Sequence, residues 1–220
     1  MFSASGGLLY HWRARRSKAL WQPFVADLEK LLAAWASKGE LIVIGPSGGY
    51  SLSTGWLKKF RRVIAFDIDP LAPWFFKNRH FGVEFHKQDM FFDSDGLSFK
   101  PLLREIEKYP QARILFANVF GQLPLERELR DGELPAYLRK LAPTLKDRAW
   151  ASYHDLYTLE NLPLNRHASA LQSYRKTRSI AALSGEVIDH TTQGVWTGGK
   201  ILGWSLTSRS LHLIEFYSPY

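Results

Sequence analysis

A glycine-rich segment followed by an acidic residue has the layout of a nucleotide-binding site. The segment Gly45-Pro46-Ser47-Gly48-Gly49-Tyr50-Ser51 lies between the apolar run 41–44, which predicts a buried strand, and a predicted helix over 51–60. Glycines permit a tight turn and a close approach of backbone to ligand, and the start of a helix offers unpaired N–H donors. Asp67, 18 residues after Gly49, ends the next predicted strand, where its carboxylate can accept two hydrogen bonds from a ribose diol. Together these features predict a bound nucleotide or nucleoside.

The glycine segment is not a P-loop, because no Gly-Lys-Ser/Thr follows the glycines. Two other interpretations of it stay open. Aligning Gly45 on the nicotinamide-dinucleotide fingerprint G-x-G-x-x-G leaves Ser47 and Tyr50 at the second and third glycine positions, which keeps an NAD(P)-dependent oxidoreductase as an alternative. In a purely structural alternative the glycines only turn the chain, and Asp67 caps the helix entered at Pro70.

Polar side chains follow the fourth and fifth predicted strands, where open α/β sheets bind ligands. Asn118 ends the fourth strand and is a candidate for substrate binding. His154 follows the fifth strand and is the first candidate for a general base, because imidazole exchanges protons near neutral pH. His190, next to Asp189, is a second candidate base in a segment that we expect to fold over the site. For each of these residues the alternative is a structural hydrogen bond at a strand end.

The elements that must position these residues alternate between helix and buried strand. The predicted strands cover residues 41–44, 63–68, 83–86, 114–119 and 149–153. Five predicted helices alternate with these strands. The first starts between Trp12 and Ser17 and ends before Gly39, and the third starts at Pro70; the second, fourth and fifth cover residues 51–60, 97–109 and about 134–141. Such repeated alternation predicts a doubly wound, mostly parallel sheet with helices on both faces.

The C-terminal end of the sequence departs from this alternation. Predicted strands over 201–206 and 211–216 are separated by only four residues, which permits an antiparallel pair alone. We therefore expect one α/β domain over residues 1–220, with a seven-stranded, mostly parallel sheet, a reversed C-terminal strand and an N-terminal helical extension over 1–39. Residues 156–200 form a longer connection than one crossover helix requires.

The glycine loop, the acid after the second strand and the closing hairpin resemble the class I S-adenosylmethionine-dependent methyltransferase family over residues 41–216. The resemblance implies S-adenosylmethionine as cofactor and S-adenosylhomocysteine as product. It implies that Gly45, Ser47 and Gly49 approach the methionine part of the cofactor and that Asp67 holds the ribose.

The same resemblance implies further roles. Asp89, just after the third strand, would bond the adenine amino group, with Met90 beside the adenine ring. The connection 156–200 would build a substrate pocket or lid. Two positions depart from the family pattern: Ser47 replaces the middle glycine of G-x-G-x-G, and Val43 stands where an acidic residue is common.

Methyl transfer is the function that the resemblance implies, with a small molecule or RNA as the acceptor. An enzyme of this kind aligns the nucleophile and, where necessary, takes its proton. Two alternatives from other classes are a catalytically inactive methyltransferase-like binding protein and a nucleic-acid-binding module. The absence of cysteine excludes disulfides, cysteine-ligated metals and a cysteine nucleophile, and we expect no metal site.

Net charge points to a polyanionic partner. The chain has 29 Lys and Arg against 21 Asp and Glu, a formal charge of +8, and no acidic residue before Asp27. Such a balance favours nucleic acid or an anionic membrane surface, and the basic N-terminus together with Lys58, Lys59, Arg61 and Arg62 is a candidate for RNA contact; the alternative is that the charge only keeps the protein soluble. The longest uncharged run, 41–57, holds four glycines and a proline, so we expect no membrane span. No typical secretory signal is present, and the expected location is cytoplasmic.

Overall fold

The computed structural model describes residues 7–35, 38–80, 82–127, 129, 130, 132–181, 183–190, 192, 195, 196 and 198–219. Its helices are α1 (Gly7–Arg16), α2 (Lys18–Trp35), α3 (Thr54–Leu57), α4 (Ala72–Arg79), α5 (Lys100–Glu107), α6 (Leu123–Arg127), α7 (Glu133–Thr144) and α8 (Leu164–Thr177). Its strands are β1 (Glu40–Ile44), β2 (Arg62–Asp67), β3 (Val83–Lys87), β4 (Phe92–Asp93), β5 (Gly96–Leu97), β6 (Arg113–Ala117), β7 (Trp150–Glu160), β8 (Glu186–Asp189), β9 (Lys200–Thr207) and β10 (Ser210–Tyr217).

The main sheet confirms the predicted doubly wound architecture. Its order is β3-β2-β1-β6-β7-β10-β9, and the five strands from β3 to β7 along this path are parallel neighbours. Strand β10 is antiparallel to both β7 and β9, which is the expected reversed C-terminal strand. Parallel pairing places the carboxyl ends of the first five strands at one edge, and the order reverses between β1 and β6.

Several predicted boundaries were wrong. Strand β7 continues to Glu160 instead of stopping at residue 153, because its second half pairs with β10 and with β8. Strand β8 lies off the seven-stranded path and makes an eighth strand. The helix predicted over 51–60 is confined to α3, because Ser53 caps it: the Trp56 N–H donates to Ser53 Oγ at 3.0 Å. The predicted helix that starts between Trp12 and Ser17 corresponds to α2, which begins at Lys18 and ends at Trp35, and α1 is a separate helix before it.

Apolar cores cover both faces of the sheet. Strand β1 contributes to each of them, since alternate side chains point to opposite faces. Leu41 and Val43 pack in the core that contains α2, whereas Ile42 and Ile44 pack in the core that contains α5 and α7. This burial on both faces explains why β1 is an uninterrupted apolar run.

Helix α2 is part of the protein core. Its buried residues recur every three or four positions (Trp21, Phe24, Leu28, Leu32 and Trp35). They pack on the last strands of the sheet: the Trp21 indole N–H donates to the Leu206 carbonyl at 3.0 Å, and the Phe24 ring stacks on Trp204 with centroids 4.8 Å apart. None of the helices in the described ranges is long and apolar enough to cross a membrane.

Phe24→Ala tests how strongly the N-terminal extension contributes to stability. We expect the free energy of unfolding to fall by about 3 to 5 kcal/mol, because the change removes a buried ring and leaves a cavity against Trp204. Urea denaturation followed by circular dichroism measures this loss. Leu164→Ala, at a position 46% exposed, is the control and should change stability by no more than about 0.5 kcal/mol. Equal effects of the two substitutions would contradict the assignment of α2 to the core.

Candidate functional site

A cavity of about 300 Å³ opens at the carboxyl ends of the parallel strands. It lies at the point where the strand order reverses, which is where open α/β sheets bind ligands. Six of the nine site residues predicted from the sequence line it: Gly45, Ser47, Asp67, Asp89, Met90 and Asn118. Its volume is at the lower end of the range for small-molecule sites.

The glycine loop forms one wall of this cavity. Gly45 has a φ of +72°, and a Cβ at this position would lie 2.9 Å from Val119 Cβ, so this position requires glycine. Ser47 also has a left-handed backbone, with a φ of +47°. Gly49 lies on the other side of the loop and is not among the lining residues; its carbonyl is 3.1 Å from His80 Nε2. The loop therefore presents Gly45 and Ser47 to a ligand, while Gly49 packs against the protein.

Asp67 fixes this loop to the end of β2. Its Oδ2 accepts the Ser47 N–H at 2.6 Å, and its Oδ1 accepts the Asp69 N–H at 2.9 Å. The carboxylate is buried and lines the cavity. The N–H at the start of the next helix, that of Leu71, bonds Asp69 rather than Asp67. Asp67 thus shapes the loop and also faces the cavity.

Asp89 lies at the opposite wall. Its Oδ1 accepts the N–H groups of Phe91 and Phe92 at 2.9 and 3.2 Å, and its Oδ2 pairs with the Arg127 guanidinium. Met90 is buried beside it. Arg127 also lines the cavity, and sequence reasoning missed it because it comes from α6, a short helix without clear apolar periodicity.

Buried polar atoms without a partner mark this cavity as a ligand site. Among the described residues, Ser47 Oγ and Gln122 Oε1 are buried and have no hydrogen-bond partner, and both residues line the cavity. Leaving a buried acceptor unpaired is costly, so such atoms call for a partner from outside the chain. The two atoms fit a ligand that carries hydrogen-bond donors.

The buried carboxylate of Asp155 fixes the residues that follow β6 and form one wall of the cavity. Asn118, whose φ is +58°, donates from Nδ2 to Asp155 Oδ2 at 3.0 Å and accepts the Asp155 N–H at the same distance. The Gln122 amide also donates to Asp155 Oδ2, and His212 Nδ1 lies 2.7 Å from Asp155 Oδ1. A Cβ on Gly121 would lie 2.8 Å from the Asp155 backbone nitrogen, so only glycine permits this approach. Burial by itself raises the pKa of Asp155, but the charges and hydrogen bonds of its neighbours, His212 first and then His190 and Asn118, together outweigh it and lower the pKa to about 2.

The two histidines predicted as bases lie apart from the cavity lining. His190 is buried, with Nδ1 2.6 Å from the Gly121 carbonyl and Nε2 2.8 Å from Thr158 Oγ1. His154 is fully buried, with Nδ1 3.0 Å from Ser152 Oγ and Nε2 3.5 Å from a Glu215 oxygen. Because side chains alternate along β7, Asp155 rather than His154 is directed to Asn118. A catalytic role for either histidine stays a prediction.

Over the described ranges, no group of three or more His, Asp or Glu side chains is arranged to hold a metal ion.

Comparison with known proteins gives similarity at the level of structure. No protein-family model matches the sequence, and no curated protein matches it. The chain is similar in fold to the N-methyltransferase NodS from Bradyrhizobium japonicum, solved with S-adenosyl-L-homocysteine, at 12% identity, over 91% of this chain and 88% of NodS, with a TM-score of 0.46. It is similar to magnesium protoporphyrin IX methyltransferase from Synechocystis, also solved with S-adenosylhomocysteine, at 16% identity, 98% and 90% coverage and a TM-score of 0.45. An S-adenosylmethionine-dependent methyltransferase from Anabaena variabilis matches at 12% identity, 97% and 98% coverage and a TM-score of 0.47.

Asp155→Asn tests the buried acid through the pH dependence of stability. At neutral pH we expect a loss of about 3 kcal/mol, because His212 loses its charged partner. Since the folded-state pKa of Asp155 is depressed, its stabilisation is present above about pH 4 and is lost as pH falls through about 2. The difference between wild type and variant should therefore shrink across this window.

Urea unfolding at a series of pH values measures this difference. Asp95→Asn, which makes the same change at an exposed carboxylate, should follow the wild type closely. A gap between wild type and Asp155→Asn that is constant with pH would rule out an ionised Asp155 in the folded protein.

Proposed function

We propose that this protein binds S-adenosylmethionine in the cavity at the carboxyl ends of the strands and transfers its methyl group to an acceptor. The observation that carries the proposal is the convergence of the predicted loop, acids and strand-end amide on one cavity: Gly45, Ser47, Asp67, Asp89 and Asn118 all line it. These residues come from the ends of four different strands or from the loops after them, and the switch point of the sheet brings them together.

The nucleoside part of the cofactor has a matching set of contacts. The Asp67 carboxylate faces the cavity where the ribose hydroxyls would lie, and Asp89 Oδ2, beside its bond to Arg127, has a lone pair for the adenine amino group. Ile68, directly after the ribose acid, lines the cavity with 40% of its surface exposed, and an adenine ring against it would cover this apolar surface. Met90 supplies a buried, polarisable neighbour for the same ring.

The amide groups of Gln122 and Asn118 are suited to hydrogen-bond the methionine part of the cofactor. The residue common in the family for the amino group is replaced by Val43, whereas Gln122 Oε1 is a buried acceptor without a partner among the described residues. We assign it to the cofactor's ammonium group. The Asn118 amide spends one N–H on Asp155 and has a second to donate. Asp155 orients both amides at once.

The proposed mechanism relies on alignment. Direct displacement from a sulfonium needs the acceptor atom in line with the methyl group, and rigid positioning supplies much of the rate. With its depressed pKa, Asp155 is a poor proton acceptor at neutral pH, so its proposed role is to hold Asn118 and Gln122. His154 and His190 remain the proposed proton acceptors for an acceptor substrate that must lose a proton. A small molecule or RNA is the proposed acceptor.

Calorimetric titration with S-adenosylhomocysteine tests the cofactor site. We expect micromolar binding by the wild type. Asp67→Asn should weaken it by about 10- to 100-fold, because a hydrogen bond to a charged acceptor is lost. The asparagine is preferred to alanine because its one oxygen keeps one of the two backbone N–H bonds, the one from Ser47 or the one from Asp69. Ile68→Ala, which leaves the polar contacts intact, should weaken binding only several-fold.

Glu84→Gln is the matched control, since it removes a carboxylate on β3 that pairs with Arg62 away from the cavity. Its affinity should equal that of the wild type. Absence of any heat with a folded wild-type protein would refute the proposal, and thermal protection by NAD(P) instead would favour the oxidoreductase alternative. Binding without turnover across an acceptor screen would favour the inactive, cofactor-binding alternative.

A further inference from the structure

Helix α1 turns its large apolar side chains toward solvent. Leu8, Leu9 and Trp12 are 71%, 70% and 58% exposed, and their spacing of three and four places them on one helical face. The opposite face carries His11 and Ala14, which are buried. An amphipathic helix normally buries its apolar side chains, so this orientation requires an explanation.

Polar contacts on the inner face fix this orientation. The His11 ring stacks on Phe75 with centroids 3.9 Å apart, and its two nitrogens lie 2.9 Å from Asp69 Oδ2 and 3.2 Å from Tyr50 Oη. The Gly7 N–H donates to the same Asp69 oxygen at 3.0 Å. Because these contacts hold the inner face of α1 against the protein, the helix cannot rotate to bury Leu8, Leu9 and Trp12 without breaking these hydrogen bonds and the ring stacking.

The apolar surface extends onto α4. Trp74 is 60% exposed, and its ring packs edge-to-face on Phe75 at 4.6 Å, beside the stacked His11. We call the four residues Leu8, Leu9, Trp12 and Trp74 the outer patch. They are four of the seven large apolar side chains that are exposed in the described part of the chain, so the exposure is concentrated here.

Cations follow the outer patch along α1. The basic residues of this region are Arg13, Arg15, Arg16 and Lys18. The Arg16 guanidinium lies 4.8 Å from the centre of the Trp12 ring, and Arg15 lies 5.5 Å from that of Phe75. No acidic residue precedes Asp27 in the sequence, and none of the four cations forms an ion pair with a described residue. The surface therefore combines exposed apolar side chains with neighbouring positive charge.

We infer that the outer patch docks on an anionic lipid bilayer, with Leu8, Leu9 and Trp12 at the boundary of headgroups and acyl chains. Leucine and tryptophan beside arginine is the composition of interfacial helices, in which the cations remain at the level of the lipid phosphates. A second copy of the chain fits less well, because a twofold contact would bring two sets of arginines together. RNA would use the cations but would gain little from two exposed leucines.

Docking in this way places the candidate site near the bilayer. Gly7, the first residue of α1, lines the cavity, so the membrane-facing helix begins at its wall. The inference does not depend on which ligand occupies the cavity, because it rests on exposure and charge.

Co-sedimentation of the full chain with vesicles tests the inference. We expect binding to vesicles of phosphatidylcholine mixed with phosphatidylglycerol, little binding to phosphatidylcholine alone, and weaker binding as salt rises. Trp12→Ser should weaken the partition coefficient at least about tenfold through lost apolar burial. Arg16→Gln should weaken it about fivefold through one lost electrostatic contact.

Two matched controls make equivalent changes elsewhere. Leu164→Ser alters an exposed apolar residue of α8, and Arg139→Gln removes an exposed cation of α7; both should bind as the wild type does. Equal losses in the controls, or no binding to the anionic vesicles, would overturn the inference. A dimer of the wild type in sedimentation that Trp12→Ser dissociates would also overturn it. The same holds if Trp12→Ser abolishes RNA binding but leaves the vesicle binding of that variant unchanged.

Discussion

The shape of the candidate site depends on the buried carboxylate of Asp67. Parallel pairing of β1 with β2 brings the loops after these strands side by side, but it fixes only the strands. Asp67 connects the loops by accepting the backbone N–H groups of Ser47 and Asp69. A carboxylate taken out of water needs such donors, and here they hold the glycine loop in its left-handed turn. The neighbouring Asp69 in turn receives the first residue of α1, so the N-terminal helix is built on the same loop.

A second buried carboxylate, that of Asp155, fixes the cavity wall on the other side of the point where the strand order reverses. Asp155 of β7 receives the amides of Asn118 and Gln122, which lie between β6 and α6, and contacts the ring of His212 from β10, so these segments share one acceptor. The two cavity walls are thus each organised by an acid that is itself satisfied. Polar groups whose positions are fixed before a ligand arrives need little rearrangement on binding, which favours both affinity and alignment.

The N-terminal extension contains two helices with opposite relations to solvent. Helix α2 buries its apolar stripe against β9, as its periodicity predicts. Helix α1 precedes α2 and is separated from it at Ser17, yet it exposes Leu8, Leu9 and Trp12. The apolar spacing predicted only the helix that corresponds to α2. Such spacing identifies a helical face but does not say whether protein, lipid or water lies against it.

The sequence by itself determined the order and kind of most elements, because apolar runs, glycines and short connections act locally. The alternation predicted the parallel sheet, the four-residue connection predicted the reversed strand, and the positions of Gly45, Asp67 and Asp89 at strand ends placed them at one edge. Only the tertiary structure decided that β7 continues past residue 153, that Asp155 rather than His154 meets Asn118, and that Arg127 reaches Asp89. These outcomes depend on strand register and on contacts between residues far apart in the chain, which no local spacing encodes.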